Sequence, residues 1–509
     1  MEYSRELIAT ITENYHTLEQ GTMPNLDVLF IHPPRNFKYL RTNSKRRSSF
    51  LLVPMGLFAL ADLLEREGYS AKILNYSLEY MLDRKFSLLQ YLKIVNPRIV
   101  GVDLHWIVHS AGAIEILQFV KKHFPNTFTL LGGYSATFYA KEIMQRYEFI
   151  DGIIQGDAEI PLIKLIKQRS TLDKVPNLMY RLDGEIKDNS ITYVAPELDS
   201  LNFAKLHHIE HWKEYLEKIN KNLHYTFPIE VARGCPFNCI FCGGANYSQR
   251  CITKRKNVIF RSPRRVVDDI QELTRLFHSN GIFYGHGVYP ATERYFMEIQ
   301  KLIREEGLDL QADMEVWRLP VSKKFLQDFS KTYSVKKSVV WYSVRNFSES
   351  YRKKMHQQIG AFDNAFSFSN DQLEAFLNTC QALGLRVMLF YDLGNPYETM
   401  SDMIMNIFKS HKINAMNWIL KRRVAMMSEP VHMSPGCPAD LFDKKLGLQI
   451  LGKTLAGRLE WNLKTPMNAS PWDVSVNYRT QNFSKTALNF LNRLVWMGNY
   501  FSFLPFFLL

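Results

Sequence analysis

The stretch Arg233-Gly-Cys235-Pro-Phe-Asn-Cys239-Ile-Phe-Cys242-Gly-Gly244 follows a short apolar segment, residues 229–232, and carries three cysteines at spacings of four and three. Three thiolates this close together suit one face of a small cluster, and iron–sulfur clusters are bound by cysteine thiolates. A structural zinc ion would need a fourth ligand, which Cys251 or a distant histidine would have to supply. The spacing therefore favours a cluster with three protein ligands and one open iron, with zinc as the alternative.

The composition of the chain agrees with a metal-ligand function for these cysteines. Only six cysteines occur in 509 residues, which is a ligand pattern in a reducing compartment rather than a disulfide framework. The first residues lack the apolar core of a signal peptide, so we expect a cytoplasmic protein. The net charge of +13 suits an anionic substrate or a membrane surface. No nucleic-acid-binding motif accompanies the basic runs 35–47 and 250–265, and we expect no nucleic-acid partner.

Strand and helix patterns alternate in two regions on either side of a polar stretch. The first region, up to residue 167, predicts an α/β fold with a doubly wound parallel sheet. The second predicts a partial (β/α)6 barrel, followed by a mixed or helical C-terminal region. A hairpin with strands at 178–182 and 191–194 is expected between them. The predicted divisions are a lead over 1–25, domains over 26–168 and 229–410, a linker over 169–228 and a C-terminal cap over 411–509.

The cysteine motif, with an aromatic residue before its last cysteine, resembles that of the radical S-adenosylmethionine enzymes. Residues 260–270 resemble the family's stretch leading into the first barrel helix, and residues 393–399 resemble its Gly-Leu-Pro-Gly-Glu-Thr segment. The resemblance implies that Cys235, Cys239 and Cys242 hold a [4Fe–4S] cluster and that S-adenosylmethionine occupies the open iron. It also implies an electron donor of the flavodoxin or ferredoxin type and hydrogen abstraction by a 5′-deoxyadenosyl radical.

The same resemblance implies contacts for S-adenosylmethionine. Phe241 would lie beside the adenine, and Gly243-Gly244 would let the backbone approach the cofactor closely. Arg318 could meet the carboxylate, and Ser343 and Gly394 stand in segments that contact the cofactor in the family. Two departures affect these assignments: the family's Glu-Ser pair is Tyr342-Ser343 here, and its acidic segment after the second strand is replaced around His286.

The first region resembles the cobalamin-binding domain that precedes the barrel in one subgroup of these enzymes. The matching residues are His32-Pro33-Pro34, the segment from Pro54 to Ala61, Gly132-Gly133 with Ser135 and Thr137, and residues 156–159. The double glycine would let the nucleotide tail of cobalamin approach the sheet, and the two hydroxyls could hydrogen-bond it. His105 is not expected to bind cobalt, because it follows the third strand and Val108 replaces a required glycine. The loop 32–39 is the expected lower face of the corrin.

These features predict a cobalamin-dependent methyltransferase that acts on an unactivated carbon of a small molecule, anionic or lipidic. A cyclase or rearrangement enzyme with auxiliary cobalamin is the enzymatic alternative, and a cobalamin-binding partner protein is the non-catalytic one. The methylthiotransferases share the barrel motifs but carry a second cysteine cluster in their first domain, and no cysteine precedes Cys235 here. The apolar tail 490–509 could contact a membrane or a lipidic substrate, but packing against the barrel is favoured.

Overall fold

The structure is a computed structural model of the chain, and it describes residues 26–37, 53–168, 170–220, 226–359, 367–420, 423–431, 433–464 and 476–495. The predicted lead over 1–25, most of the first basic run and the tail beyond residue 495 lie outside the described residues. Among the described residues, no helix combines the length and the apolar character needed to cross a membrane.

The first sheet has seven strands, of which five are parallel. Its strands are short and apolar, and β1 is buried along its whole length, which is typical of a sheet covered on both faces. The strand order is β2-β1-β3-β4-β5-β6-β7, so the predicted doubly wound arrangement is confirmed. The parallel strands are β1 (Val28–His32), β2 (Ala71–Asn75), β3 (Ile99–Asp103), β4 (Phe128–Gly132) and β5 (Gly152–Ile154).

Helices cover both faces of this sheet because their apolar residues recur at helical spacing. In α1, for example, Leu57, Phe58, Ala61 and Leu64 are all buried. The helices are α1 (Met55–Arg66), α2 (Tyr76–Leu82), α3 (Leu88–Val95), α4 (Ser110–His123), α5 (Tyr134–Phe138), α6 (Ala140–Arg146) and α7 (Glu159–Lys167).

The hairpin differs from its prediction in its second strand. Strand β6 (Leu178–Leu182) pairs with β7 (Glu185–Asp188) across the turn Asp183-Gly184, whose two residues both have positive φ. Such a turn joins two strands through two residues, so the return strand begins at once and the predicted strand at 191–194 is wrong. Because β6 also pairs with β5, the hairpin completes the first sheet instead of standing in a separate linker.

The second sheet has six parallel strands in the order β15-β14-β13-β12-β11-β8, so neighbours along the chain are neighbours in space. This is the strand order of an open barrel, with β8 and β15 at its two edges. The predicted end of the barrel at residue 410 is wrong, because β15 pairs with β14 over seven residues. The strands are β8 (Phe227–Ile229), β11 (Gly281–Tyr284), β12 (Gln311–Val316), β13 (Val339–Ser343), β14 (Arg386–Leu393) and β15 (Val424–Pro430).

The remaining elements surround this sheet. A two-stranded ribbon, β9 (Ala232–Arg233) with β10 (Ile259–Phe260), flanks the cysteine loop. The helices are α8 (Trp212–Asn220), α9 (Asn246–Ile252), α10 (Pro263–Phe277), α11 (Glu293–Glu305), α12 (Lys323–Thr332), α13 (Glu349–Ile359), α14 (Asn370–Ala382) and α15 (Met400–Leu420).

The C-terminal region packs on both sheets rather than on the barrel alone. Its elements are α16 (Pro438–Leu441), the antiparallel pair β16 (Leu448–Ile450) and β17 (Tyr478–Thr480), and α17 (Leu455–Lys464). Leu455 belongs to the hydrophobic core of the first sheet. The amide of Asn462 donates to the Ser110 hydroxyl at 2.9 Å, which attaches α17 to α4.

Candidate active site between the two sheets

The three cysteines lie on the loop between β9 and α9, at the end of the barrel that faces the first sheet. The loop is tightly turned: the amide of Cys242 donates to the carbonyl of Cys239 at 3.2 Å. Gly234 has a φ of +103° and packs against the backbone of Val258, so only glycine fits there. The three thiols are free, as a cluster site requires.

Electrostatics within the loop show that the thiols are close neighbours. Burial, together with the charges of the other two cysteines, raises the pKa of Cys235 to about 12. Cys242 opens into an internal cavity but is surrounded by protein, and this burial, with the charge of Cys239, raises its pKa to about 11. A buried thiol becomes a thiolate when a metal replaces its proton. The donor set therefore fits the cluster that the motif predicts.

Two arginines face the cysteine loop. Arg318, which the sequence predicts here, places Nη2 3.8 Å from the Cys239 sulfur and its guanidinium carbon 4.1 Å from the centre of the Phe237 ring. Arg345, which sequence reasoning missed, follows β13 with a φ of +61° and pairs with Asp392. Burial opposes its charge, but Asp392 and then Cys239 and Cys242 raise its pKa. Both cations are placed to balance the negative charge of bound thiolates and their ligands.

The other residues predicted to contact S-adenosylmethionine have protein neighbours of their own. Phe241 is buried, and a Cβ on Gly243 would lie 2.9 Å from the Tyr134 ring of the first sheet. Gly394 has a φ of +86° and faces Tyr478 rather than open space. Ser343 ends β13 beside Phe390 and is partly buried. Close packing between domains thus accounts for Gly243 and Gly394, and their predicted cofactor contacts stay predictions.

The double glycine of the first sheet stands at the carboxyl end of β4. Gly133 has a φ of +103°, and a Cβ there would lie 2.7 Å from the amide nitrogen of His105, so no other residue fits. The Ser135 hydroxyl donates to the carbonyl of His105, and the Thr137 hydroxyl donates to that of Gly133, both at 2.9 Å. The proton of each hydroxyl is engaged in a hydrogen bond to a backbone carbonyl, so a ligand group would have to donate a hydrogen bond to these oxygens.

The expected lower face of the corrin is described only as far as residue 37. His32 is fully buried and its Nδ1 lies 2.9 Å from Asp103 Oδ1, so its ring is held inside the first sheet. His105, by contrast, is exposed and lines the internal cavity beside Gly132 and Gly133. The prediction that His105 does not bind cobalt therefore rests on the motif and not on distance from the cavity.

One cavity of about 990 Å³ joins the two sites. It lies where the carboxyl ends of the first sheet face the barrel, which is the usual position for ligands of such sheets. The C-terminal region closes it with apolar side chains. Its lining includes Asp103, His105, Gly132, Gly133, Ser135 and Thr137 from the first sheet, Arg233, Gly234, Cys242, Gly243 and Gly244 from the cysteine loop, and Val431, Met433 and Trp461 from the C-terminal region.

Comparison with known proteins agrees with this two-part site. The B12 binding domain family matches residues 46–166. The hopanoid C-3 methylase of Methylococcus capsulatus is 26% identical over 273 residues, 52% of this chain and 48% of that protein. The structure of the radical S-adenosylmethionine methyltransferase TsrM from Kitasatospora setae, with cobalamin and a [4Fe–4S] cluster bound, aligns with a TM-score of 0.61 at 14% identity over 84% of this chain and 77% of that one.

The chain therefore contains a B12 binding domain and is similar to cobalamin-dependent radical S-adenosylmethionine enzymes. The anaerobic magnesium-protoporphyrin IX monomethyl ester cyclase of Cereibacter sphaeroides is also similar, at 27% identity over 291 residues, 55% of this chain and 44% of that protein. The chain spans about half the length of the curated relatives it matches. Proteins named for different reactions are thus similar to this chain, so its reaction has to be argued from its own site.

A four-residue ion cluster, which the sequence did not reveal, joins the first domain to the cysteine loop. Arg233, two residues before Cys235, pairs with Asp157 at 3.0 Å and with Glu159 at 2.7 Å. Arg255 is buried and pairs with the same Asp157. The carboxylates come from the Gly-Asp-Ala-Glu segment that was assigned to the cobalamin-binding resemblance. Opposite charges at such separations in sequence carry no pattern, so only the tertiary structure reveals the pairing.

His286 lies in an aromatic enclosure rather than in the cavity lining. Its ring centre is 4.1 Å from that of Trp317 and 5.0 Å from that of Phe260, and burial lowers its pKa to about 4. In the unfolded state His286 binds a proton below pH 6.5, whereas in the folded state it stays neutral down to about pH 4. The free energy of unfolding therefore decreases as the pH falls from 6.5 to 4. The decrease should reach about 3 kcal/mol.

We expect His286→Phe to weaken this acid lability, because phenylalanine fits the same enclosure without titrating. The measurement is the free energy of unfolding between pH 4 and 7 in wild type and variant. His123→Gln provides the matched control, since it removes an exposed histidine that lies outside the aromatic enclosure. An equally steep profile in His286→Phe would contradict the assignment of this effect to His286.

Proposed function

We propose that this chain is a cobalamin-dependent radical S-adenosylmethionine methyltransferase that methylates an unactivated carbon of a small molecule. The single observation that carries the proposal is the shared cavity: Cys242 and Gly243 line one wall, and Gly132 and Gly133 line the other. A cluster with S-adenosylmethionine supplies hydrogen abstraction from carbon, and cobalamin supplies a methyl group. A methyl transfer that uses both needs one substrate position open to both, which this cavity offers.

The residues of the chain have separate tasks in this proposal. Cys235, Cys239 and Cys242 would hold the cluster, and Arg318 and Arg345 would orient the anionic end of S-adenosylmethionine through charge. The Gly132-Gly133 edge would accept the nucleotide tail of cobalamin without a side chain in the way. The C-terminal closure keeps water away from reactive carbon, which is the usual contribution of the protein to cofactor chemistry.

The C-terminal residues that close the cavity also indicate a class of substrate. Val431, Met433 and Trp461 reach the cavity from the C-terminal region, so a substrate there would meet mainly apolar side chains. We infer a substrate with a large apolar part, which corresponds to the lipidic one of the two substrate classes expected from the sequence. The arginines near the cysteines would be engaged by the cofactor, so an anionic group on the substrate is not required. A flavodoxin- or ferredoxin-type protein would supply the electron.

The test is anaerobic reconstitution with iron, sulfide, cobalamin and S-adenosylmethionine, followed by product analysis. We expect 5′-deoxyadenosine and S-adenosylhomocysteine to form together, and methyl-deuterated S-adenosylmethionine to transfer its label to an apolar acceptor. Formation of 5′-deoxyadenosine without S-adenosylhomocysteine would instead indicate the cyclase or rearrangement reaction, which the likeness to the cyclase of Cereibacter sphaeroides makes the second candidate. Absence of both products would support a non-catalytic cobalamin-binding protein.

A further inference from the structure

A second group of metal-ligating side chains lies far from the cysteines along the chain. Glu65 belongs to the last turn of α1, and His207 and His208 form the end of a 3-10 helix, Leu206–His208, in the segment that leads to the barrel. Their three ligand atoms all lie within 4.8 Å of one another. Glu65 Oε2 is 3.8 Å from His207 Nε2 and 3.7 Å from His208 Nε2.

His208 is prepared as a ligand by its surroundings. Its side chain is only 3% exposed, and its Nε2 has no hydrogen-bond partner although it points toward Glu65. Nε2 is therefore the ring nitrogen that faces the carboxylate, and a neutral imidazole offers a metal ion one lone pair. An imidazole nitrogen buried without a partner is costly unless something binds it.

We propose that Glu65, His207 and His208 form a binding site for a divalent transition-metal ion of the zinc class. Two imidazoles and a carboxylate are a ligand set that zinc accepts, with water as the fourth ligand. Tetrahedral coordination brings ligand atoms to about 3.4 Å from one another. The Glu65 oxygen, now 3.8 Å and 3.7 Å from the two histidine nitrogens, therefore has to approach each of them by only a few tenths of an ångström. The Glu65 side chain is 62% exposed and is free to make that movement.

The position of the site indicates a structural role. The first turns of α1 line the cavity with Met55, Gly56 and Leu57, whereas Glu65 stands at the other end of the same helix. The histidine segment is attached to the first sheet by the bridge between Ile73 and Ile209. An ion held between Glu65 and the histidines would tie this connecting segment to α1. It would thereby fix one end of a helix whose other end borders the cavity.

The neighbouring charges make a distinctive prediction. Lys72 belongs to β2 and precedes Ile73, which bridges to Ile209 directly after His208, so its charge would repel a cation bound by the histidines. Lys72→Gln should therefore tighten zinc binding about threefold, as expected for removal of a charge near a partly exposed site. Glu65→Gln and His207→Ala should each weaken it at least tenfold through loss of a ligand. His123→Gln, at an exposed histidine outside the group, is the matched control.

The experiment uses the full chain with its iron–sulfur cluster reconstituted, so that the cysteines are occupied. Zinc is titrated against a chromogenic chelator, and zinc and iron are counted in the same samples. We expect one zinc per chain in wild type, lost in Glu65→Gln and His207→Ala without loss of iron, together with a rise in the unfolding midpoint that only the wild type shows. Glu65 and His207 are exposed, so these variants should fold where a change at His208 could fail. Equal zinc binding by wild type and both variants would overturn the proposal.

Discussion

Replacing Cys242 by alanine should abolish both iron binding and cleavage of S-adenosylmethionine in reconstituted protein. Cys242 lines the shared cavity and lies on the same loop as Cys235 and Cys239, and a cluster with two protein ligands is poorly held. We expect wild type to bind about four irons per chain and the variant to bind fewer than one. The measurement combines iron and sulfide analysis, visible absorbance and 5′-deoxyadenosine formation.

Two other cysteines give matched controls for this result. Cys251 is exposed on α9, nine residues after Cys242, and Cys251→Ala should keep the full cluster. Cys437 is buried and its sulfur accepts a hydrogen bond from the amide of Asp440 at 3.3 Å, so it caps α16. Two results together would indicate the zinc alternative, in which Cys251 is the fourth ligand. Cys251→Ala would bind less iron than wild type, and wild type itself would retain zinc.

The parts of the site that sequence reasoning predicted are those whose signal is local. The cysteine spacing and the turn at Gly132-Gly133 each lie within a few residues, and the predicted alternation of strands and helices is found in both sheets. The sixth barrel strand was missed because Val424–Pro430 mixes polar and apolar residues and follows a 21-residue helix. The second strand of the hairpin was predicted wrongly: the sequence indicated the two-residue turn, but the return strand was placed at 191–194 instead of directly after the turn.

The features of the site that were not predicted depend on contacts between residues far apart in the sequence. Gly243 and Gly394 were predicted to contact the cofactor, and the close packing of Tyr134 and Tyr478 against them is a further reason for glycine that the sequence did not reveal. Arg345 carries no motif, and its position next to the cysteines results from β13 lying one strand away from the strand that precedes Arg318. Pairings across long sequence separations have no pattern in a single sequence. This is also why the acidic residues of the Gly-Asp-Ala-Glu segment were noted only as part of the resemblance to the cobalamin-binding domain, and their contact with the barrel was not predicted.

Those acidic residues lead to the second large expected effect. In the ion cluster of Arg233, Arg255, Asp157 and Glu159, two positive charges meet two negative ones, with side-chain exposures of 24%, 5%, 12% and 8%. Replacing Arg233 by methionine keeps the bulk of the side chain and leaves one buried negative charge without a partner. Breaking a buried pair from one side costs about 3–5 kcal/mol. We therefore expect Arg233→Met to lower the free energy of unfolding by about 3 kcal/mol.

The matched control is Arg264→Met, which removes an arginine that also pairs with two carboxylates, Asp268 and Glu306, but on the surface. Its side chain is 44% exposed, and loss of such pairs costs less than about 1 kcal/mol. The free energy of unfolding of both variants is measured by urea denaturation. The single variant Asp157→Asn and the double variant Arg233→Met/Asp157→Asn complete a double-mutant cycle. Equal losses in Arg233→Met and Arg264→Met would contradict a buried connection between the domains.

Because Arg233 lies two residues before Cys235, the cluster should report on this connection as well. If the pairing only stabilised the fold, Arg233→Met would unfold earlier but retain normal iron content and cofactor cleavage below its midpoint. If it also holds the cysteine loop against the first sheet, the folded variant should lose cluster stability and uncouple the two half-reactions. S-adenosylmethionine would then still be cleaved, but fewer cleavages would end in a transferred methyl group. We expect this second outcome, since the same arginine is attached to the cysteine loop by the chain and to the cobalamin-binding side by its ion pairs.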